Sequence, residues 1–287
     1  MIITTENLTL KYGVGTPFEK TALDNVSVGI EDGDYVGVIG HTGSGKSTLI
    51  SHFNAILKPT SGRVYVDGED LWQENKLKRI QTRFKVGLVF QYPEYQLFED
   101  TVYNDIAFGP KNMGLSDNDI EQRVLKAIEF VGLDKKYLEK SPFDLSGGQK
   151  RRVAIAGVMA MSPKVLVLDE PAAGLDPKGR DEILARIREY HQETKSTVLL
   201  VSHSMEDIAK NAHSIIVMNR AKCMMHASVK EVFEKAEELE KIGLDIPQIT
   251  KVFISLNKLG YKVSSDIYTV DDARDEILRC LKGGDIR

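Results

Sequence analysis

Between residues 40 and 49 the chain reads GHTGSGKSTL, which sets Gly40, Gly43 and Gly45 among hydroxyl side chains and a lysine. Glycine loses much backbone entropy on folding, so this density needs a reason. The chemistry that fits is a phosphate cradle. Backbone N–H groups can wrap phosphate oxygens only where no side chain blocks them, at Gly43 and Gly45, and a helix starting near Lys46 adds its positive end. Lys46 can reach the β- and γ-phosphates of a triphosphate, and the Ser47 hydroxyl can serve Mg²⁺. The expected phosphate loop is Gly40, His41, Thr42, Gly43, Ser44, Gly45, Lys46, Ser47 and Thr48. A second element, VLVLDE over 165–170, ends an apolar run in two acids. Asp169 suits the same metal ion. Glu170, one residue on, points differently and can polarise an attacking water.

These groups can meet only if strands deliver them to one edge. YVGVIG (35–40) is a short apolar run closing on glycine, and STLISHFNAIL (47–57) carries Leu49, Ile50, Phe53, Ile56 and Leu57 at helical spacing. The phosphate loop therefore lies between a strand and a helix, as its chemistry demands. VGLVFQ (86–91), STVLLVSHS (196–204) and SIIVMNR (214–220) read as further strands, and 101–140 as mostly helical. Buried strands alternating with helices predict an α/β layered core with much parallel sheet. After about residue 225 the pattern changes to three amphipathic helices, within VKEVFEKAEELEKIGL, IPQITKVFISLNKLG and TVDDARDEILRCLKGG.

Composition narrows the function classes. The 287 residues carry a net charge of −4, which gives no electrostatic footprint for nucleic acid. Cys223 and Cys280 have no metal-ligand spacing and suggest no disulfide framework. No apolar run approaches the roughly 18 residues of a membrane span, and MIITTENLTL lacks the build of a signal peptide. The basic runs Lys76, Lys78, Arg79 and Lys150, Arg151, Arg152 read as solvated helix faces.

LSGGQ at 145–149 sits just ahead of the acidic strand. Taken alone, Ser146, Gly147, Gly148 and Gln149 could form a second phosphate nest or a helix N-cap. Together with the paired loop and acidic strand, they make residues 2–225 resemble the nucleotide-binding subunit of an ABC transporter. The resemblance implies a P-loop NTPase fold: a RecA-like core sheet, an antiparallel β subdomain and a helical signature subdomain. It implies an ATPase domain over 1–225, with the helical subdomain at about 92–160. A mainly helical appendage would follow over 226–287, a candidate dimerisation region. ATP and Mg²⁺ are the implied ligands. Gln91 matches the Q-loop glutamine, which touches Mg²⁺ and the attacking water. His203 matches the H-loop histidine on the γ-phosphate, Asp176 the D-loop residue facing a partner subunit, and Tyr12 the aromatic that stacks on adenine. The LSGGQ loop would cap the γ-phosphate of ATP held by the other subunit.

Further stretches narrow the resemblance. FQYPEYQLFEDTV (90–102) and FDLSGGQKRRVAIAGVMAMSP look like the ATPase (A) subunits of energy-coupling factor transporters. GHTGSGKSTLI, GTPFEKTALDNVS and RRVAIAG are most similar to the second, primed type. Such a subunit pairs with a sister ATPase in a heterodimer, with a homodimer as the alternative, on the cytoplasmic face of the cell membrane. It docks a membrane T component in a groove near residues 92–108 and reaches the substrate-binding S component only indirectly. It powers uptake of vitamins, related micronutrients or transition-metal ions. Of the aromatics there, most read as core of the helical subdomain, while Tyr92, Tyr95 and Phe98 partly line the groove. The competing class is a soluble ABC ATPase acting on nucleic acid or ribosomes. Neither the long coiled-coil insertion nor the second cassette usual in that class is present.

Overall fold

The computed structural model describes residues 1–73, 76–264 and 266–283. In chain order the first elements are β1 (Ile3–Tyr12), β2 (Lys20–Val26), β3 (Gly29–Ile30), β4 (Tyr35–Ile39), α1 (Lys46–Phe53), β5 (Ser61–Val66), β6 (Glu69–Asp70), α2 (Lys76–Lys85) and β7 (Val86–Val89). Then follow α3 (Val102–Asn112), α4 (Asp117–Phe130), α5 (Gly147–Met159), β8 (Val165–Asp169), α6 (Pro177–Thr194), β9 (Thr197–Val201), α7 (Met205–Asn211), β10 (Ser214–Asn219) and β11 (Lys222–Ser228). The C-terminal helices are α8 (Val229–Phe233), α9 (Ala236–Lys241), α10 (Gln248–Lys258) and α11 (Val270–Gly283).

Every residue of β4, β8 and β9 is buried, because both sheet faces are covered. The period of two then divides each strand between two cores. Tyr35, Ile39, Leu166, Leu168, Val198 and Leu200 pack towards the helices. Val36, Val38, Val165, Val167, Leu199 and Val201 pack with α1 and the antiparallel sheet. The central sheet has six strands in the order β11-β10-β4-β9-β8-β7, parallel except for the β10–β11 pair. The second sheet runs β2-β1-β5-β6, with β3 also on β1. The order matters more than the count. Parallel β7, β4, β8 and β9 all end at one edge, so Gln91, the phosphate loop, Glu170 and His203 emerge side by side.

In the helical segment α3, α4 and α5 pack on one another, with α5 alongside β7 and α4 against α6. β11 keeps the central sheet going to Ser228, where a capping box starts α8. The apolar pattern over 229–244 predicts one helix, but the chain forms two short ones. Phe233 and Leu239 are both buried in the main core. Six positions apart, they would lie about 120° apart on an unbroken helix, so the break at Lys235 lets both face inwards.

Candidate functional site

The phosphate loop leaves β4 and enters α1 through a left-handed residue. Gly45 has φ +108 and is the N-cap of α1, and a Cβ there would stand 2.8 Å from the Ala22 carbonyl oxygen. Only glycine fits both demands. Gly43, φ +79, faces open space on the other side, where an oxyanion can approach the backbone. The Lys46 ammonium is buried and donates to the carbonyls of Gly40 (2.6 Å) and His41 (3.2 Å). Burial pulls its pKa down, opposed by the charges of Glu170 and Asp169. His41 turns aside instead, its Nε2 3.0 Å from the Asn219 side-chain oxygen. Ser44 is buried with its hydroxyl unpartnered.

At the end of β8 the backbone turns sharply, Glu170 having φ +52. Strand alternation therefore stops between the two acids. Burial raises the Asp169 carboxyl above its ordinary value, and the neighbouring Ser47 hydroxyl pulls it back down. Glu170 is pushed up to about 7, first by burial and then by the Asp169 charge, with Lys46 and the His203 backbone opposing. Its Oε1 is buried without a hydrogen-bond partner. Nε2 of His203 lies 3.4 Å from that oxygen, in contact but not in hydrogen-bond geometry. The imidazole is itself held below its ordinary pKa by burial and by Lys46, so it stands beside Glu170 as a neutral ring at physiological pH.

Tyr12, Thr42, Gly43, Gly45, Lys46, Ser47, Thr48, Gln91, Asp169, Glu170 and His203 line one cleft of about 300 Å³. Gly40, His41 and Ser44 lie behind it as the loop's own support. The cleft also includes Lys20, Thr21 and Ala22 of β2, which no reading of residue type singled out. No motif singles out Thr21 or Ala22; they are there because β2 returns antiparallel beside Tyr12.

Ser146, Gly147, Gly148, Gln149 and Asp176 do not line this cleft. Ser146 and Gln149 form a capping box at the start of α5, and Ser146 and Gly147 are exposed. Asp176 caps α6, its carboxylate accepting from the Gly179 N–H at 2.7 Å.

Residues 23–173 match the family model of the ABC transporter. The chain is 56% identical to the energy-coupling factor transporter ATP-binding protein EcfA2 of Clostridium acetobutylicum, over 98% of this chain and 99% of that protein. The chain belongs to the ABC transporter family, in its energy-coupling factor ATP-binding branch. It is also 48% identical to EcfA2 of Bacillus cereus, over 99% of this chain and 98% of that one. Among solved structures it resembles cbiO1 of Clostridium perfringens, described as part of the cbiONQ ABC transporter complex: TM-score 0.73, 38% identity, 84% of this chain and 94% of that one. It also resembles the cassette MJ0796, solved as a dimer in a post-hydrolysis state with ADP and Pi: TM-score 0.71, 27% identity, 79% of this chain and 98% of that one. The ABC fold expected from the sequence is thus the observed one, with its antiparallel subdomain and appended C-terminal helices.

Two readings around the ABC signature change. Arg151 is not a solvated residue: it is 4% exposed and holds Glu94 through two hydrogen bonds, Nε to Oε2 at 3.0 Å and Nη2 to Oε1 at 2.6 Å. It also donates to the Ala173 carbonyl and sits over the Tyr92 ring. One guanidinium thus ties the signature helix to the turn after Gln91 and to the loop before Asp176. Most of the nearby aromatics are also not core, since Tyr92, Tyr95, Phe98 and Phe108 are exposed. A groove of about 680 Å³ runs beside them, lined by Phe98 and Phe108 in edge-to-face contact at 5.0 Å but not by Tyr92 or Tyr95. The Pro93–Gln96 turn, entered through Tyr92 at φ +55, carries those two rings off the groove.

Proposed function

We propose that this chain binds and hydrolyses ATP while paired with a sister ATPase cassette, and that the closing and reopening of the pair drives an energy-coupling factor importer. The observation that carries this is a division of labour. One cleft holds the lysine cradle, Asp169 and an unpartnered buried oxygen of Glu170, while exposed Ser146 and Gly147, at the start of α5, lie outside it. A phosphate-binding turn away from its own chain's cleft suits a phosphate held by another chain, and the MJ0796 cassette is itself dimeric with ADP and Pi.

In this reading Tyr12 stacks on adenine, the loop from Gly40 to Thr48 wraps the phosphates, and Lys46 neutralises their outer oxygens. Ser47, Asp169 and Gln91 offer hard oxygen donors of the kind Mg²⁺ takes. When bound, that ion neutralises charge on the phosphate oxygens. Glu170 accepts a hydrogen bond from the attacking water and orients it in line with the γ-phosphorus. Gln91 helps hold that water, and His203 donates to the γ-phosphate. The sister's signature turn closes the cleft and excludes bulk water, and Ser146, Gly147, Gly148 and Gln149 do the same for the sister's ATP, with Asp176 at the shared boundary. Loss of the γ-phosphate removes the bridge, and the pair reopens.

The apolar groove at Phe98 and Phe108 is the proposed seat of the membrane T component, through which an S component that selects the cargo is reached indirectly. Cargo of the vitamin, micronutrient or transition-metal class is chosen there. No helix among the described residues is long and apolar enough to cross a membrane. In this reading attachment to the cytoplasmic face runs through the T component. Residues 1–225 would act as the motor and the segment from 226 as an accessory to pairing.

The test is Glu170→Gln. Hydrolysis by the assembled complex should fall at least about a hundredfold, while ATP still drives the pairing of cassettes seen by size exclusion. Turnover at the unaltered rate would overturn the role of Glu170, and absence of ATP-driven pairing would overturn the sandwich.

A further inference from the structure

We infer that Glu206 is a positioning residue for His203, through which the C-terminal helices hold the loop that carries the histidine. The inference rests on the reading of His203 as a γ-phosphate contact.

Helix α10 lacks a cap of its own. Its N-cap position is Pro247, with no side-chain hydrogen bond to the first turn. Exposed N–H groups at a helix start need acceptors, and a carboxylate is a favourable one. The acceptor here comes from the ATPase core. The Gln248 N–H donates to Oε1 of Glu206 at 3.2 Å. The charge of Glu206 also bears on Lys251, one turn along α10.

Glu206 lies in the first turn of α7, three residues after His203. Its other oxygen accepts from the Ser204 hydroxyl at 3.3 Å. That hydroxyl in turn caps α7 by accepting from the Asp207 N–H at 3.1 Å, and the Ser204 N–H donates to the Ser202 hydroxyl at 3.1 Å. Asp207, the next carboxylate, grips Arg180 of α6 with contacts of 2.8 to 3.1 Å. The backbone on both sides of His203 is therefore fixed by hydrogen bonds, and it is anchored twice. One anchor runs through Asp207 to the helix that follows Asp176. The other runs through Glu206 to the appended helices. A ring that must meet a phosphate to within a few tenths of an ångström depends on both.

Two substitutions remove the second anchor from opposite sides. Glu206→Ala deletes the acceptor. Gln248→Pro deletes the donor at the first position of a helix, where proline is well tolerated. In the complex with sister and membrane subunits, each should lower kcat for ATP hydrolysis by about threefold to tenfold, with KM for ATP changed by less than about twofold. Glu206→Gln, which keeps an acceptor oxygen, should restore the rate. In a His203→Ala background, single-turnover rates should fall no further when Glu206→Ala is added. Should Glu206→Ala fail to fold by circular dichroism, Gln248→Pro carries the test. Unaltered kcat in Gln248→Pro, or a full additional loss in the His203→Ala background, would overturn the inference. If His203→Ala alone hydrolyses ATP normally, the underlying role of the histidine falls instead. A slow His203→Ala beside an unaffected Glu206→Ala sinks only the proposal made here.

Discussion

Replacing Arg151 by methionine should be one of the most costly single changes in this chain. The Arg151 side chain is 4% exposed and its partner Glu94 has a side chain 14% exposed, so the guanidinium is cut off from solvent and the carboxylate largely so when the other is lost. Two hydrogen bonds, at 3.0 and 2.6 Å, and the link to the Ala173 carbonyl disappear together. Breaking a buried pair from one side costs about 3–5 kcal/mol, most of it from the stranded charge. The double variant Arg151→Met with Glu94→Leu should therefore recover most of the loss, leaving about 1 kcal/mol for the unpaired carbonyl. Urea unfolding of the purified chain, followed by circular dichroism, reads all three proteins. A pH series adds a sign. Burial pushes the Glu94 carboxyl up, but Arg151 and a backbone hydrogen bond together more than offset this, so its folded pKa lies below the ordinary value of 4.5. The stabilisation is then fully present above pH 4.5 and is lost as pH falls through the lower folded value. The gap between Arg151→Met and the unaltered chain should narrow in acid. A single variant within about 1 kcal/mol of the unaltered chain, or a double variant weaker than the single, would refute the reasoning.

Tyr12→Ala should weaken nucleotide binding by about tenfold or more, as loss of a base-stacking ring does, with Tyr12→Trp near normal. Titration with a fluorescent ATP analogue measures this, and unchanged affinity would put adenine elsewhere. Phe98→Asp or Phe108→Asp should abolish copurification with the membrane subunit while nucleotide binding stays intact. Tyr95→Ser, outside the groove, should leave copurification unchanged, and the reverse pattern would move the docking site.

What could be read from the chain without its fold is the chemistry that lies within a few consecutive residues. Gly40 to Thr48, Asp169 with Glu170, and LSGGQ are each a run of consecutive residues whose types and local backbone suit phosphate or metal chemistry, so their spacing carries the signal. The strands were legible for the same reason, since a buried parallel strand is a continuous apolar run. The roles of Arg151, Thr21 and Ala22 were not. Each is decided by a contact with residues distant in the sequence, and the arginine looks like any other member of a basic run until Glu94 and Ala173 are brought to it. The aromatic cluster at 92–108 misled for a related reason: a turn, not residue type, chose which rings face the groove. Glu206 shows the limit most clearly. It is an ordinary surface acid in the sequence, and only the fold that brings the start of α10 to it gives it a helix to cap. Local propensity fixes short elements and their loops, whereas burial and hydrogen-bond satisfaction between elements are settled by the whole packing at once.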